Sequence, residues 1–153
     1  MDLFTELRSV VGALDRAGVP FALCGGLAVA VHGSPRATKD IDLLVLPQDV
    51  DRAKEAVKAA GFTLPALPMT FGYGTPRERR VHRVSKISGE DHLMLDLLEV
   101  RDADDEVWRD RSVLELEGFR LTVVSRNGLA RLKRDAGRPQ DLADLEKLGL
   151  RDE

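Results

Sequence analysis

Asp40 and Asp42 stand two apart in the run Asp40-Ile41-Asp42-Leu43-Leu44-Val45-Leu46, and thirteen residues separate them from a glycine pair, Gly25-Gly26. Side chains alternate between the faces of a strand, so the two carboxylates share one face and Ile41 and Leu43 take the other. Adjacent carboxylates repel unless a cation lies between them. Hard oxygen ligands of this kind select Mg²⁺ or Mn²⁺. A glycine pair between a strand and a helix lets backbone approach a ligand closely. It also aims free N–H groups and the positive end of a helix dipole at an anion. A phosphate cradle beside a divalent-metal site is the layout of phosphoryl or nucleotidyl transfer.

Such a site calls for a third carboxylate from a neighbouring strand. Asp96 fits, because it is the one charge in Leu93-Met94-Leu95-Asp96-Leu97-Leu98, and a lone charge in a buried strand is costly without a cation partner. Glu99 is its rival, but three residues on it faces the opposite side of a regular strand. Arg77, Arg79, Arg80, Arg83 and Lys86 form a basic concentration. It reads either as charge on a solvated edge strand, which discourages aggregation, or as a track for an RNA acceptor or a triphosphate. Phe71 and Tyr73 on the preceding loop either stack a base or pin the loop. His32 has no second His or Cys at ligand spacing and is a poor metal candidate. Cys24 has no base beside it and is read as a core residue.

The elements that must position these groups follow from periodicity. Leu3, Phe4, Leu7, Val10, Val11 and Leu14 recur at helical spacing, and Gly18 with Pro20 stops that helix. Residues 21–24 form a short buried strand, and Leu27 to Val31 begin a second helix. The strand at 40–46 ends at Pro47. Val50, Ala53, Val57 and Ala60 then mark an amphipathic helix closed by Gly61. Residues 63–78, with Pro65, Pro68, Gly72, Gly74 and Pro76, read as a long mobile loop. Arg79 to Ile87 and Leu93 to Val100 read as two strands joined at Ser88-Gly89-Glu90-Asp91. A short helix lies around Asp104 to Arg109. Val113 to Leu116 and Phe119 to Val124 form a hairpin. Helices at roughly 126–135 and 139–148 close the chain, with Pro139 in the first turn of the second. Interleaved strands and helices with hairpins among them imply an α/β (α+β) fold: a short mixed sheet with helices packed on it. One domain is expected over 1–153, with its core at about 20–100 and closing helices at about 125–148.

Composition narrows the function classes. The chain has 153 residues, 43% of them hydrophobic and 32% charged, which argues against a disordered or fibrous protein. With 23 basic and 26 acidic residues the formal charge is −3, so any nucleic-acid contact must use a local basic patch. A single cysteine excludes an intrachain disulfide and a cysteine metal cluster. The N-terminus lacks a basic segment followed by an apolar core, and no apolar run approaches the ~18 residues that span a bilayer. A cytoplasmic protein without membrane contact is expected.

The stretch from Gly25 to Leu43, with its Gly-Gly turn and its Asp40-Ile41-Asp42, resembles the signature of the DNA polymerase β-type nucleotidyltransferase superfamily. It is closest to the small bacterial branch of abortive-infection and toxin-type enzymes. The family pattern of a glycine turn, Asp-x-Asp on a strand and a third Asp on a later strand maps onto Gly25 and Gly26, Asp40 and Asp42, and Asp96. Lys133, Gly137-Arg138 and Asp141-Leu142-Ala143-Asp144-Leu145 look like the branch's late motif, so the resemblance spans about 21–148. It implies a nucleotidyltransferase fold with Mg²⁺ (or Mn²⁺) held by Asp40, Asp42 and Asp96. It also implies an NTP contacted by Gly25, Gly26, Arg36, Thr38 and Lys133. The implied reaction moves an NMP to a hydroxyl of RNA (a tRNA end), protein or a small molecule, with pyrophosphate release. The implied setting is toxin–antitoxin or phage defence, with an antitoxin as partner. The alternative is a non-catalytic nucleotide- or partner-binding module on the same fold. A metal-dependent phosphohydrolase fits less well, since the glycine turn suits a triphosphate.

Overall fold

Asp2 accepts a hydrogen bond from the Thr5 N–H at 3.1 Å and so starts helix α1 (Leu3–Ala17). Gly18, with φ of 69°, closes it in the left-handed conformation that glycine adopts without strain. The computed structural model describes residues 2–33 and 39–149. The apolar stripe of α1, with Leu7, Val10 and Leu14 fully buried, packs on α3 (Val50–Val57) and the 3₁₀ turn after it.

The strands are β1 (Ala22–Cys24), β2 (Asp40–Val45), β3 (Leu64–Pro65), β4 (Met69–Phe71), β5 (Arg79–Ser88), β6 (Asp91–Glu99), β7 (Ser112–Leu116) and β8 (Phe119–Val123). They form one mixed sheet in the order β3-β5-β6-β2-β1-β8-β7, with β4 also on β5. β2 runs parallel to β6, and β1 parallel to β8; the other pairings are antiparallel. The remaining helices are α2 (Gly25–Val31), α4 (Asp105–Arg109), α5 (Arg126–Ala136) and α6 (Pro139–Lys147). α2 packs on β1, β2 and α5, and α5 packs on α4 and α6. This is the mixed sheet with helices that alternation and turn residues anticipate. Among the described residues no helix is long and apolar enough to cross a membrane.

Two expectations are corrected. Residues 63–78 are not a bare loop: β3 and β4 lie inside that stretch, both antiparallel to β5. Proline and glycine interrupt the pairing without preventing it, because edge strands tolerate proline. The second correction follows from the first. With β3 and β4 on one side and β6 on the other, β5 is no edge, and three of its basic residues are paired rather than solvated, while Arg80 stays exposed. Arg79 forks onto buried Asp104 at 2.8 and 3.1 Å, Arg83 onto Asp96, and Lys86 reaches Glu6 of α1 at 2.8 Å.

Asp104 shows how strongly one such pair acts. Burial would push its carboxyl up, but hydrogen bonds from Arg101 and Arg79 prevail and hold it down at about 2. Its folded pKa lies below the ordinary value of 3.8. The stabilisation is therefore present above that value and lost as pH falls toward 2. Arg79→Met is expected to cost about 2–3 kcal/mol in urea denaturation at pH 7, because Asp104 keeps only Arg101. The difference between variant and wild type is expected to shrink below pH 3.

Candidate active site

Sheet register assembles the site. Cys24, the last residue of β1, lies opposite Asp42 of β2. Asp42 lies opposite Asp96 of β6, and Asp96 opposite Arg83 of β5. Directly opposed residues project to the same face, so Asp42, Asp96 and Arg83 form one row across three strands, with Asp40 one pleat away. Lys86 has the other parity and pairs with α1. The carboxylate row therefore faces away from α1, toward the side where α2 and α5 pack. Glu99 points to the opposite face, as alternation anticipates, and meets His82 at 2.6 Å.

Gly25 follows Cys24 directly, with φ of 68°. A Cβ built there would fall within 2.8–2.9 Å of the Cγ and Cβ of Asp42. Only glycine lets the first turn of α2 lie against this carboxylate. Gly26 is buried in the same turn.

Burial and crowding of like charges both disfavour ionisation along the row. Burial first, then the charges of Asp96 and Asp40, push the Asp42 carboxyl from 3.8 up to about 7, although Lys133 and Arg138 pull the other way. Asp40 is also raised, by burial and by Asp96, against Arg83. Close carboxylates that resist ionisation together are the donor set a hard divalent cation neutralises, so these residues fit Mg²⁺ or Mn²⁺. As they stand, no three His, Cys, Asp or Glu side chains among the described residues are gathered tightly enough to chelate an ion. Asp96 is instead clamped by Arg83, whose Nε and Nη2 donate to its two oxygens at 2.8 and 3.0 Å.

Lys133 is not open to solvent, and its charge acts on Asp42 from within the fold. It is 5% exposed and pairs with Asp141 at 3.3 Å and Asp144 at 3.0 Å. Arg138 is the exposed cation at this corner. It forks onto Asp141, at 2.7 Å through Nε and 3.2 Å through Nη2. Ser125, accepting from the Gly128 N–H, starts α5 and so sets the position of Lys133. Cys24 is buried, and burial with the Asp42 charge drives its thiol upward, so it stays a neutral core group. His32 meets the Val124 carbonyl at 2.8 Å, which makes it a packing residue. Arg36 and Thr38 lie outside the described residues. The structure thus brings together Gly25, Gly26, Asp40, Asp42 and Asp96, with Lys133 acting from within the fold.

Composition does not distinguish Arg83 from the other basic residues of its strand. A signal for it existed in the turn. A two-residue turn at Gly89-Glu90 pairs Ser88 with Asp91, and counting five pairs outward sets Arg83 opposite Asp96.

Solved structures share this architecture. The fold is similar to that of the lincosamide antibiotic adenylyltransferase LnuA in its lincomycin-bound form (TM-score 0.60, 14% identity, 95% of both chains covered). It is similar to a putative nucleotidyltransferase, TM1012, from Thermotoga maritima (TM-score 0.61, 16% identity, 94% of this chain and 90% of that one). It is also similar to ANT(2")-Ia in complex with adenylyl-2"-tobramycin (TM-score 0.59, 17% identity, 95% and 85%). A comparison with the curated proteins returns no match. The class is that of the nucleotidyltransferases. Residues 12–120 match the family described as "Nucleotidyl transferase AbiEii toxin, Type IV TA system", and the chain belongs to that family.

Proposed function

We propose that the chain transfers a nucleoside monophosphate from an NTP to an acceptor hydroxyl, with release of pyrophosphate, within a single domain. The observation that carries this reading is the row of Asp42 and Asp96, with Asp40 beside it, against the first turn of α2 at Gly25. A triphosphate needs backbone donors and a cation, and the row and turn offer places for both.

Mg²⁺ or Mn²⁺ would be held by Asp40, Asp42 and Asp96, and it supplies charge neutralisation at the phosphates and acidification of the attacking hydroxyl. The backbone N–H groups of Gly25 and Gly26 would cradle the β,γ-phosphates, where charge develops as pyrophosphate leaves. Asp96 would help take the proton from the acceptor hydroxyl as oxygen attacks the α-phosphorus. Lys133 would lend its charge from within the fold, its position set by Asp141 and Asp144. Arg36 and Thr38 would meet the triphosphate from the loop before β2. Positioning and fixed charge supply most of the rate in such transfers.

The family supports a toxin-type role, and the same reading has an antitoxin as partner and the cytoplasm as setting. The acceptor is expected to be RNA or protein. The two antibiotic-modifying structures of similar fold make a small hydroxylated molecule the third candidate. Purified protein incubated with Mg²⁺, each α-³²P-labelled NTP, and cellular RNA or protein extract is expected to label one pool. Nuclease or protease sensitivity then names the acceptor class. Nucleotide binding without label in any pool would favour the non-catalytic binding module.

A further inference from the structure

We propose that Arg83 is a positioning residue of the carboxylate site: it is the resident counter-cation of Asp96 and competes with the divalent ion for it. The inference rests on the proposed reading of Asp96 as a metal ligand. Register places Arg83 directly opposite Asp96, and the guanidinium grips both carboxylate oxygens at 2.8 and 3.0 Å. Such forked pairs are the strongest that arginine makes. This one cation on β5 thus occupies both oxygens of a carboxylate that the ion would also use.

Two consequences separate this role from a structural one. Binding of the ion must work against Arg83, by sharing Asp96 between two cations or by taking at least one oxygen from the fork. The protein without metal must owe part of its stability to Arg83, because an unpaired carboxylate at Asp96, 7% exposed, is costly.

The test is Mn²⁺ binding to the full chain, read from the electron paramagnetic resonance signal of the free ion, with no nucleotide and no turnover. Arg83→Met is expected to bind Mn²⁺ at least tenfold more tightly than wild type. It is also expected to melt lower in EDTA and to gain more melting temperature from Mn²⁺ than wild type gains. Arg83→Lys keeps the charge but loses the fork, and it is expected to fall between the two. It also keeps the comparison open if the Met variant does not fold. Unchanged or weaker Mn²⁺ binding by either variant would overturn the proposal. A melting temperature lowered equally with and without Mn²⁺ would do the same, leaving Arg83 a structural pair. Asp96→Asn separates the two claims. If it binds Mn²⁺ as wild type does, the reading of Asp96 as a ligand is wrong. If it weakens binding while Arg83→Met changes nothing, only the role of Arg83 is wrong.

Discussion

Asp42→Asn is expected to abolish nucleotidyl transfer and yet to stabilise the metal-free protein at pH 8. Both halves come from the same charge. In the fold, burial and the neighbouring Asp96 and Asp40 raise the Asp42 carboxyl from 3.8 to about 7, so the ionised form is disfavoured relative to the unfolded chain. The sign is the reverse of that for a salt-bridged acid. Well below pH 3.8 the group is protonated in both states and costs nothing. As pH rises from 3.8 toward 7 the unfolded chain sheds this proton first, and stability falls with it. Above pH 7 the whole cost is present. Replacing the charge with a neutral amide of the same shape removes that cost, a gain of roughly a few kcal/mol at pH 8. In urea denaturation the gain is expected to fade as pH drops to 4. Transfer is expected to fall by at least roughly a thousandfold, to background, since a proposed ligand of the divalent ion is lost. A variant less stable than wild type at pH 8 would mean that Asp42 is held by a favourable partner rather than crowded by its neighbours.

Gly25→Ala carries the second large effect. Two penalties coincide there. A φ of 68° is left-handed, which costs a side-chain-bearing residue about 1–2 kcal/mol. The added methyl would also meet the Asp42 side chain at 2.8–2.9 Å, so Asp42 or the start of α2 must move. We expect a loss of about 3 kcal/mol or more in chemical denaturation, with transfer lost even at temperatures where the variant is folded. Gly89→Ala is the matching control. Its φ of 61° is equally left-handed, but the space around it is open. It is expected to cost only about 1 kcal/mol and to leave transfer intact. Equal losses at the two positions would show that close approach to Asp42 contributes nothing.

What the sequence revealed and what it hid have physical causes. The alternation in Asp40-Ile41-Asp42-Leu43 and the apolar surroundings of Asp96 are local patterns, and they mark a shared carboxylate face before any pairing is known. The helices were equally legible, because Leu7, Val10 and Leu14 repeat at helical period and Gly18 stops them. The pairing of β3 and β4 with β5 is hidden, since strands of two and three residues carry no measurable alternation, and Pro65 within β3 and Pro68 just before β4 argue against a sheet. The partners of the basic residues were hidden for a different reason. Arg79 meets Asp104, Arg83 meets Asp96 and Lys86 meets Glu6 across 25, 13 and 80 residues, and composition treats each as one more surface charge. Lys133 illustrates the same limit. Its helix was foreseen, but its burial depends on α6 folding back to present Asp141 and Asp144.

Asp40, Asp42 and Asp96 are proposed to serve transfer of a nucleotide rather than hydrolysis or simple binding. The most direct measurement follows the fate of the phosphates. Purified protein, NTP, Mg²⁺ and the labelled acceptor pool are incubated, and pyrophosphate and inorganic phosphate are quantified against label incorporated. The expected result is one pyrophosphate per nucleotide transferred, little inorganic phosphate, and neither product from Asp96→Asn or when EDTA replaces Mg²⁺. Inorganic phosphate without label, or pyrophosphate release that persists in Asp96→Asn, would contradict it.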